Sequence, residues 1–164
     1  MRTITMTLDT ASIDHAIREL GNYEKWVEDR INELMRELVG RGVGMAIKHI
    51  AMLGAVDTGE LSDSMDGYYS ANHHTGFIYT TAFYAPFVEY GTGIIGKMGP
   101  KDPFTPTAWV HDHNEHGEDG WSYISERDGK LHWTRGQISR PFMYDTYREL
   151  EATAGRIAKE IFGR

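Results

Sequence analysis

Residues 22–53 read NYEKWVEDRINELMRELVGRGVGMAIKHIAML, and this stretch decides the fold. Its apolar residues recur at helical spacing, with Glu, Asp, Arg and Asn between them. The apolar line consists of Val27, Ile31, Leu34 and Leu38, with Met35 and Val39 beside it. The pattern predicts an amphipathic helix that opens at Asn22 and would be roughly 48 Å long if continuous to Leu53. A helix this long in a chain of 164 residues is more typical of assembly than of catalysis.

Three glycines, Gly40, Gly42 and Gly44, interrupt the apolar line before it resumes at Met45. Each would cost about 1 kcal/mol relative to Ala inside a helix. Two interpretations stay open: either the helix bends here, or the bare backbone lets another element come close.

The residues before this helix predict two shorter elements. Met1–Thr10 alternates apolar and Thr residues, which predicts a short strand. Ser12 then stands as a possible N-cap of a short helix that Gly21 would end.

The middle of the chain is rich in β-forming residues. Val56–Leu61 predicts a turn, in which Asp57 could cap a single helical turn. Residues 68–73 and 75–81 predict a hairpin around His74, Thr75 and Gly76. Residues 82–93 are less regular, and Pro86 confines them to an edge or a loop.

The last third contains a loop, a hairpin and a helix. Residues 94–120 predict a long loop with a His- and acid-rich tract, which is functional or partly disordered in most proteins. Residues 121–133 predict a hairpin around Asp128 and Gly129. Pro141 opens a helix over 142–162. The order of elements predicts one α+β domain over residues 1–164, with a long N-terminal and a C-terminal helix packed on a small antiparallel β-sheet.

Composition excludes several classes of protein. There is no cysteine, which rules out disulfides, thiolate nucleophiles and Cys-type zinc sites. The net charge of −7 argues against wrapping DNA, since that relies on Lys and Arg at the phosphates. No apolar stretch approaches the roughly 20 residues of a membrane span, and the N-terminus lacks a signal core. We therefore expect a protein that stays in the cytoplasm where it is made, with no membrane association.

The most tempting catalytic signal is the tract His111-Asp112-His113-Asn114-Glu115-His116. It approximates the His-x-His-x-Asp-His string of metallo-β-lactamase-like hydrolases, and imidazole with carboxylate suits zinc. That fold takes further ligands from far downstream, whereas His132 is the sole later histidine here. A solvated loop is the favoured interpretation, so we predict no catalytic residue, no metal and no cofactor. A small metal-dependent hydrolase using His111, His113 and His116 is the alternative.

Aromatic residues are dense between Tyr68 and Tyr90. Stacking on single-stranded nucleic acid would also need a basic groove, but residues 68–96 contain no Lys or Arg. Packing in the core and at subunit interfaces accounts better for these rings.

Three fragments carry a resemblance to a known family: Val56-Asp57-Thr58-Gly59-Glu60-Leu61, Tyr84-Ala85-Pro86-Phe87-Val88-Glu89-Tyr90-Gly91-Thr92 and Arg140-Pro141-Phe142-Met143. In this order they resemble the gene-product-ten-like family of phage neck and tail-completion proteins, related to the minor tail protein Z of phage lambda. In that family a long helix precedes the first fragment, the second ends a strand and the third opens the last helix. The stretch of about 94–138 is an insertion relative to compact members.

The resemblance implies a structural virion protein of a tailed-bacteriophage neck that joins tail to head and is assembled in the host cytoplasm. It implies a homo-oligomeric ring, six-fold, that contacts the head-closure or connector protein and tail terminator or tail tube proteins. Genomic DNA would pass without specific binding. The implied structural and interface residues are Asp57, Thr58, Gly59, Leu61, Tyr84, Ala85, Val88, Glu89, Tyr90, Gly91, Thr92, Arg140, Pro141 and Phe142. Glu89 and Arg140 could form an ion pair between the second fragment and the last helix.

Overall fold

A computed structural model describes residues 7, 9–99, 103–112, 115–116, 119–125 and 127–163. Its fold is α+β, as predicted, with a long N-terminal helix, a C-terminal helix and small antiparallel sheets. The helices are α1 (Thr10–Met52), α2 (Glu60–Asp63), α3 (Ala85–Tyr90), α4 (Gly93–Met98) and α5 (Phe142–Phe162). The strands are β1 (Met65–Ser70), β2 (Thr75–Thr80), β3 (Trp121–Ile124), β4 (Leu131–Thr134) and β5 (Gly136–Gln137).

Helix α1 is one continuous helix of 43 residues, about 65 Å long. The predicted break at Gly21 and the predicted cap at Asn22 are therefore wrong. A glycine whose surroundings are open costs a helix only about 1 kcal/mol, and nothing lies within 4 Å of a Cβ built at Gly21. The N-cap is Asp9, which accepts from the Ser12 backbone N–H at 2.9 Å, so Ser12 is not the cap. Of the predicted N-terminal strand, residues 1–6 and 8 lie outside the described residues, and Thr10 is already helical.

One glycine of α1, Gly42, lies where two other elements approach the helix. A Cβ at Gly42 would lie against the Ile78 side chain of β2 and 3.5 Å from Cδ2 of Leu150 in α5, and Gly42 is buried. Gly40 and Gly44 have nothing within 4 Å. Only Gly42 therefore admits neighbouring elements to the helix.

The first predicted hairpin is confirmed. Strands β1 and β2 pair antiparallel from Met65↔Thr80 to Ser70↔Thr75. A 3₁₀ turn, Ala71–His73, and His74 at φ 47° connect them. Hairpin residues Gly67 and Gly76 sit beneath Val39 of α1, so the helix lies directly across the sheet.

The predicted irregular segment 82–93 is wrong in part, because it contains α3. Pro86 sits in the first turn of α3, where the missing N–H costs nothing. Ala85 and Val88, three residues apart, face the core. The predicted loop 94–120 is likewise wrong at its start, because residues 94–98 belong to α4.

The predicted second hairpin and final helix are confirmed. Strands β3 and β4 pair antiparallel from Trp121↔Thr134 to Ile124↔Leu131, and α5 covers the predicted range. Strand β5 bridges back to Thr92 and Gly93.

The core lies where the C-terminal part of α1 meets the other elements. Its buried residues are Ala46, Ile50, Leu61, Met65, Ala82, Ala85, Val88 and Phe142. None of the helices in the described ranges combines the length and apolar character needed to cross a membrane.

Candidate assembly surface

The three sequence fragments meet in space. We call residues 57–61, 84–92 and 140–142 together the motif junction. Leu61, Ala85, Val88 and Phe142 are its buried apolar members and belong to one core cluster. The Arg140 backbone N–H donates to the carbonyl of Val88 at 2.8 Å, which ties the third fragment to the second.

Glu89 caps the last helix. Its side chain is buried, and its two carboxylate oxygens accept from the backbone N–H groups of Met143 at 2.9 Å and Tyr144 at 3.0 Å. A carboxylate at a helix N-terminus satisfies unpaired donors and is attracted by the helix dipole. The Arg140 guanidinium donates to the side-chain oxygen of Gln137 at 3.4 Å, and the ion pair between Arg140 and Glu89 stays a prediction.

Gly91 allows two backbones to touch. Its φ is +77°, and a Cβ there would lie 2.8 Å from the Ser139 nitrogen and 2.9 Å from the Gln137 carbonyl oxygen. Next to it, Thr92 and Gln137 form an antiparallel bridge. The Ser139 hydroxyl donates to the Glu89 carbonyl at 2.5 Å. Backbone contacts therefore join the second fragment to residues 137–139, which directly precede the third fragment.

The first fragment forms a turn that opens α2. Gly59, at φ 92°, is the N-cap, so the predicted cap at Asp57 is wrong. A cap must directly precede the first turn, and Asp57 lies too far ahead of Glu60. Asp57 is exposed and stands 3.8 Å from the Arg127 guanidinium at the tip of the second hairpin.

A cleft of about 410 Å³ opens at the motif junction, lined on one side by residues 54–62 and on the other by Tyr84, Val88, Gln137 and Arg140. Burial, together with the neighbouring Glu60 carboxylate, raises the pKa of Tyr84. A side-chain hydrogen bond with Glu60 acts on the pKa of Tyr84 in the same direction.

The described residues of the histidine tract make contacts that hold the loop in place. The His111 carbonyl accepts from the Gly93 N–H at 2.7 Å. The His116 ring stacks on Trp121 with centroids 4.5 Å apart, and its Nδ1 lies 3.7 Å from Asp112. His113 lies outside the described residues. In the part of the chain that the structure describes, no group of three or more His, Asp or Glu side chains could hold a metal ion.

Aromatic residues fasten the inserted loop to the body. The Trp109 ring contacts those of Phe87 and Tyr90 at 5.7 and 5.1 Å, and its Nε1 donates to the Gly91 carbonyl at 3.2 Å. Phe104 packs against Tyr144 of α5 at 5.3 Å. The sequence analysis did not single out Trp109 or Phe104, because it considered the histidines of this loop and not its aromatic residues.

A large apolar surface stays exposed around this framework. Among the described residues, 21 large apolar side chains are exposed whereas 11 apolar side chains are buried. Phe83 and Met98 are the extremes, at 84% and 79% exposed. The stacked pair Tyr68 and Phe77 on the first hairpin is also exposed, so part of the aromatic segment is available for interfaces. Adjacent exposed apolar side chains, such as this stacked pair, are typical of surfaces that bind other proteins.

Comparison with known protein families gives a match for the N-terminal part of the chain. Residues 14–91 match the model of a family described as "Bacteriophage HK97-gp10, putative tail-component". The match spans α1 from Asp14, the first hairpin and α3, and it includes the first sequence fragment and the second fragment as far as Gly91. Searches of curated proteins and of solved structures gave no match.

Proposed function

Since residues 14–91 belong to the HK97-gp10-like family of phage tail components, we propose that this chain is a structural protein of a tailed-bacteriophage neck. It completes the tail and joins it to the head-closure or connector assembly through protein–protein contacts. It has no enzymatic role, and its place is the virion, after assembly in the host cytoplasm.

The family match over residues 14–91 carries this proposal, and the exposed apolar side chains support it. Exposed apolar side chains lower the solubility of a protein that works alone, whereas a protein of an assembly buries them on docking. The motif junction supports the same role, because its residues brace the fold and leave the apolar faces free.

The partners that we propose are further copies of this chain, the head-closure or connector protein, and tail terminator or tail tube proteins. A ring of copies, six-fold in our proposal, suits a junction through which DNA passes. The net charge of −7 suits a channel to which DNA does not adhere, because like charges repel.

A complementation experiment tests the proposal. Phage carrying a nonsense mutation in the gene should accumulate filled heads and separate tails, as seen by electron microscopy. Adding the purified protein to this lysate should join them and restore infectivity, whereas heat-unfolded protein should not. Joined, infectious particles without the protein would overturn the proposal.

A further inference from the structure

The N-terminal part of α1 extends beyond the end of α5. Helix α5 runs antiparallel to α1: Glu149 near its start contacts Lys48, and Phe162 at its end contacts Trp26. The segment Thr10–Lys25 therefore lies beyond the end of α5 and is about 24 Å long.

This projecting segment carries an exposed apolar line. Ile13, Ile17 and Leu20, which we call the helix stripe, follow one another at spacings of four and three and are 38%, 61% and 57% exposed. They continue the line that is packed against the body further along α1. The helix stripe is therefore exposed, although Ala16, beside it on the same helix, is only 5% exposed.

The second hairpin presents a matching face. Ile124 and Leu131 are paired across the strands, and Trp133 lies two residues beyond Leu131, so all three side chains point to the same side. We call them the hairpin face; they are 71%, 72% and 62% exposed. A two-stranded hairpin is marginally stable alone and is stabilised by a further layer.

The two faces lie at opposite ends of the molecule. The tip of the second hairpin is anchored near the C-terminal end of α1, where Arg127 is 3.8 Å from Asp57. Leu20 and the end of α1 at Met52 are separated by about 48 Å of helix. One chain cannot bring its own hairpin face to its own helix stripe, but two copies can.

The charges around the two faces are complementary. Residues 9–25 contain four acidic side chains and two basic side chains, giving a local charge of −2. The acidic residues are Asp9, Asp14, Glu19 and Glu24, and Glu24 continues the line of the stripe. On the hairpin, the Arg135 guanidinium lies over the Trp133 ring at 5.9 Å, and exposed Lys130 precedes Leu131. Such complementarity favours and orients an encounter.

We propose that the hairpin face of one copy docks on the helix stripe of the next copy. This inference rests on the proposed assembly role and specifies which surfaces join the copies. The contact is heterologous, since different patches of the two copies meet, and repetition around an axis closes a ring. The hairpin lies outside the family-matched residues 14–91, so it would be an interface added by the insertion.

Disulfide cross-linking tests the contact directly, because the natural chain has no cysteine. Particles assembled from the double variant Leu20→Cys/Leu131→Cys should give a ladder of linked copies after mild oxidation. Each single variant should stay monomeric on the gel, as should the control double variant Asp29→Cys/Leu131→Cys. Chain present in the particles without a ladder, or a linked dimer from one single variant, would overturn the inference. Absence of the natural chain from particles would instead overturn the proposed function.

Charge reversal gives a second test that does not depend on oxidation. Glu24→Arg and Arg135→Glu should each weaken association of the copies, by roughly tenfold, and the double reversal should restore it. Sedimentation of the purified chain, or incorporation into particles, measures the effect. Circular dichroism verifies that each variant is folded. Equal weakening by both singles and no recovery in the double variant would overturn the contact.

Discussion

At the residue scale, Glu89 joins two parts of the chain through hydrogen bonds to Met143 and Tyr144. Glu89→Ala should lower the free energy of unfolding by roughly 1–3 kcal/mol, because two helix N–H groups lose a buried acceptor. Asp29→Ala, at an exposed position of α1, should change it by less than about 0.5 kcal/mol. Urea unfolding followed by circular dichroism measures both. Equal stability of the two variants would mean that Glu89 is not the cap.

Substitution of Gly91 tests the backbone contact between the second fragment and residues 137–139. Gly91→Ala should destabilise by more than the roughly 1–3 kcal/mol that a strained backbone angle alone costs, because Cβ would press on the Ser139 and Gln137 backbone. Gly129→Ala is the matched control: its φ is +67°, but nothing lies within 4 Å. The Tm values of the two variants separate the cost of the positive φ, which both share, from the cost of the steric clash, which only Gly91→Ala has. A larger loss for Gly129→Ala would contradict the close approach.

At the element scale, Gly40, Gly42 and Gly44 of α1 should respond in opposite ways to substitution. Gly40→Ala and Gly44→Ala should each stabilise by about 1 kcal/mol, since both sites are open and Ala is the better helix former. Gly42→Leu should destabilise, because its side chain would displace Ile78 and Leu150. The denaturant midpoints of the three variants measure these changes in stability. A gain in stability for Gly42→Leu would show that no element approaches α1 there.

The link between α1 and α5 is sensitive to acid. The hydrogen bond from Lys48 lowers the pKa of Glu149, and the contact with His49 at 2.9 Å acts in the same direction. A carboxylate with a lowered folded pKa stabilises the fold above its unfolded pKa of 4.5, and this contribution is lost as the pH falls through the folded pKa. Glu149→Gln should therefore lower Tm near neutral pH, and the difference from the natural chain should vanish in acid. Asp29→Asn serves as control, and a Tm difference that grows in acid would contradict the assignment.

Local pattern predicts the elements better than the contacts between them. The apolar period predicts α1 and α5, and Asp128-Gly129 predicts the second hairpin, because these signals arise within a few residues. The break at Gly21 failed because an open glycine costs little against a long helix. The partner of Glu89 could not be predicted, since Met143 is 54 residues away and its N–H becomes available only after α5 docks.

At the scale of the whole molecule, stability should be uneven until assembly. The α1–α5 pair and the first hairpin share a buried core, whereas the second hairpin exposes apolar side chains on both faces, including Tyr123 on one and Ile124 on the other. Amide protons of such a hairpin open at low cost in free energy. Hydrogen exchange followed by mass spectrometry should therefore find fast exchange in residues 121–134 of the free chain and slow exchange around Ile50 and Ile157. In assembled particles the hairpin should gain protection, because docking supplies the layer that it lacks. Equal protection of the hairpin before and after assembly would mean that this face stays exposed in the particle, and that other surfaces hold the copies together.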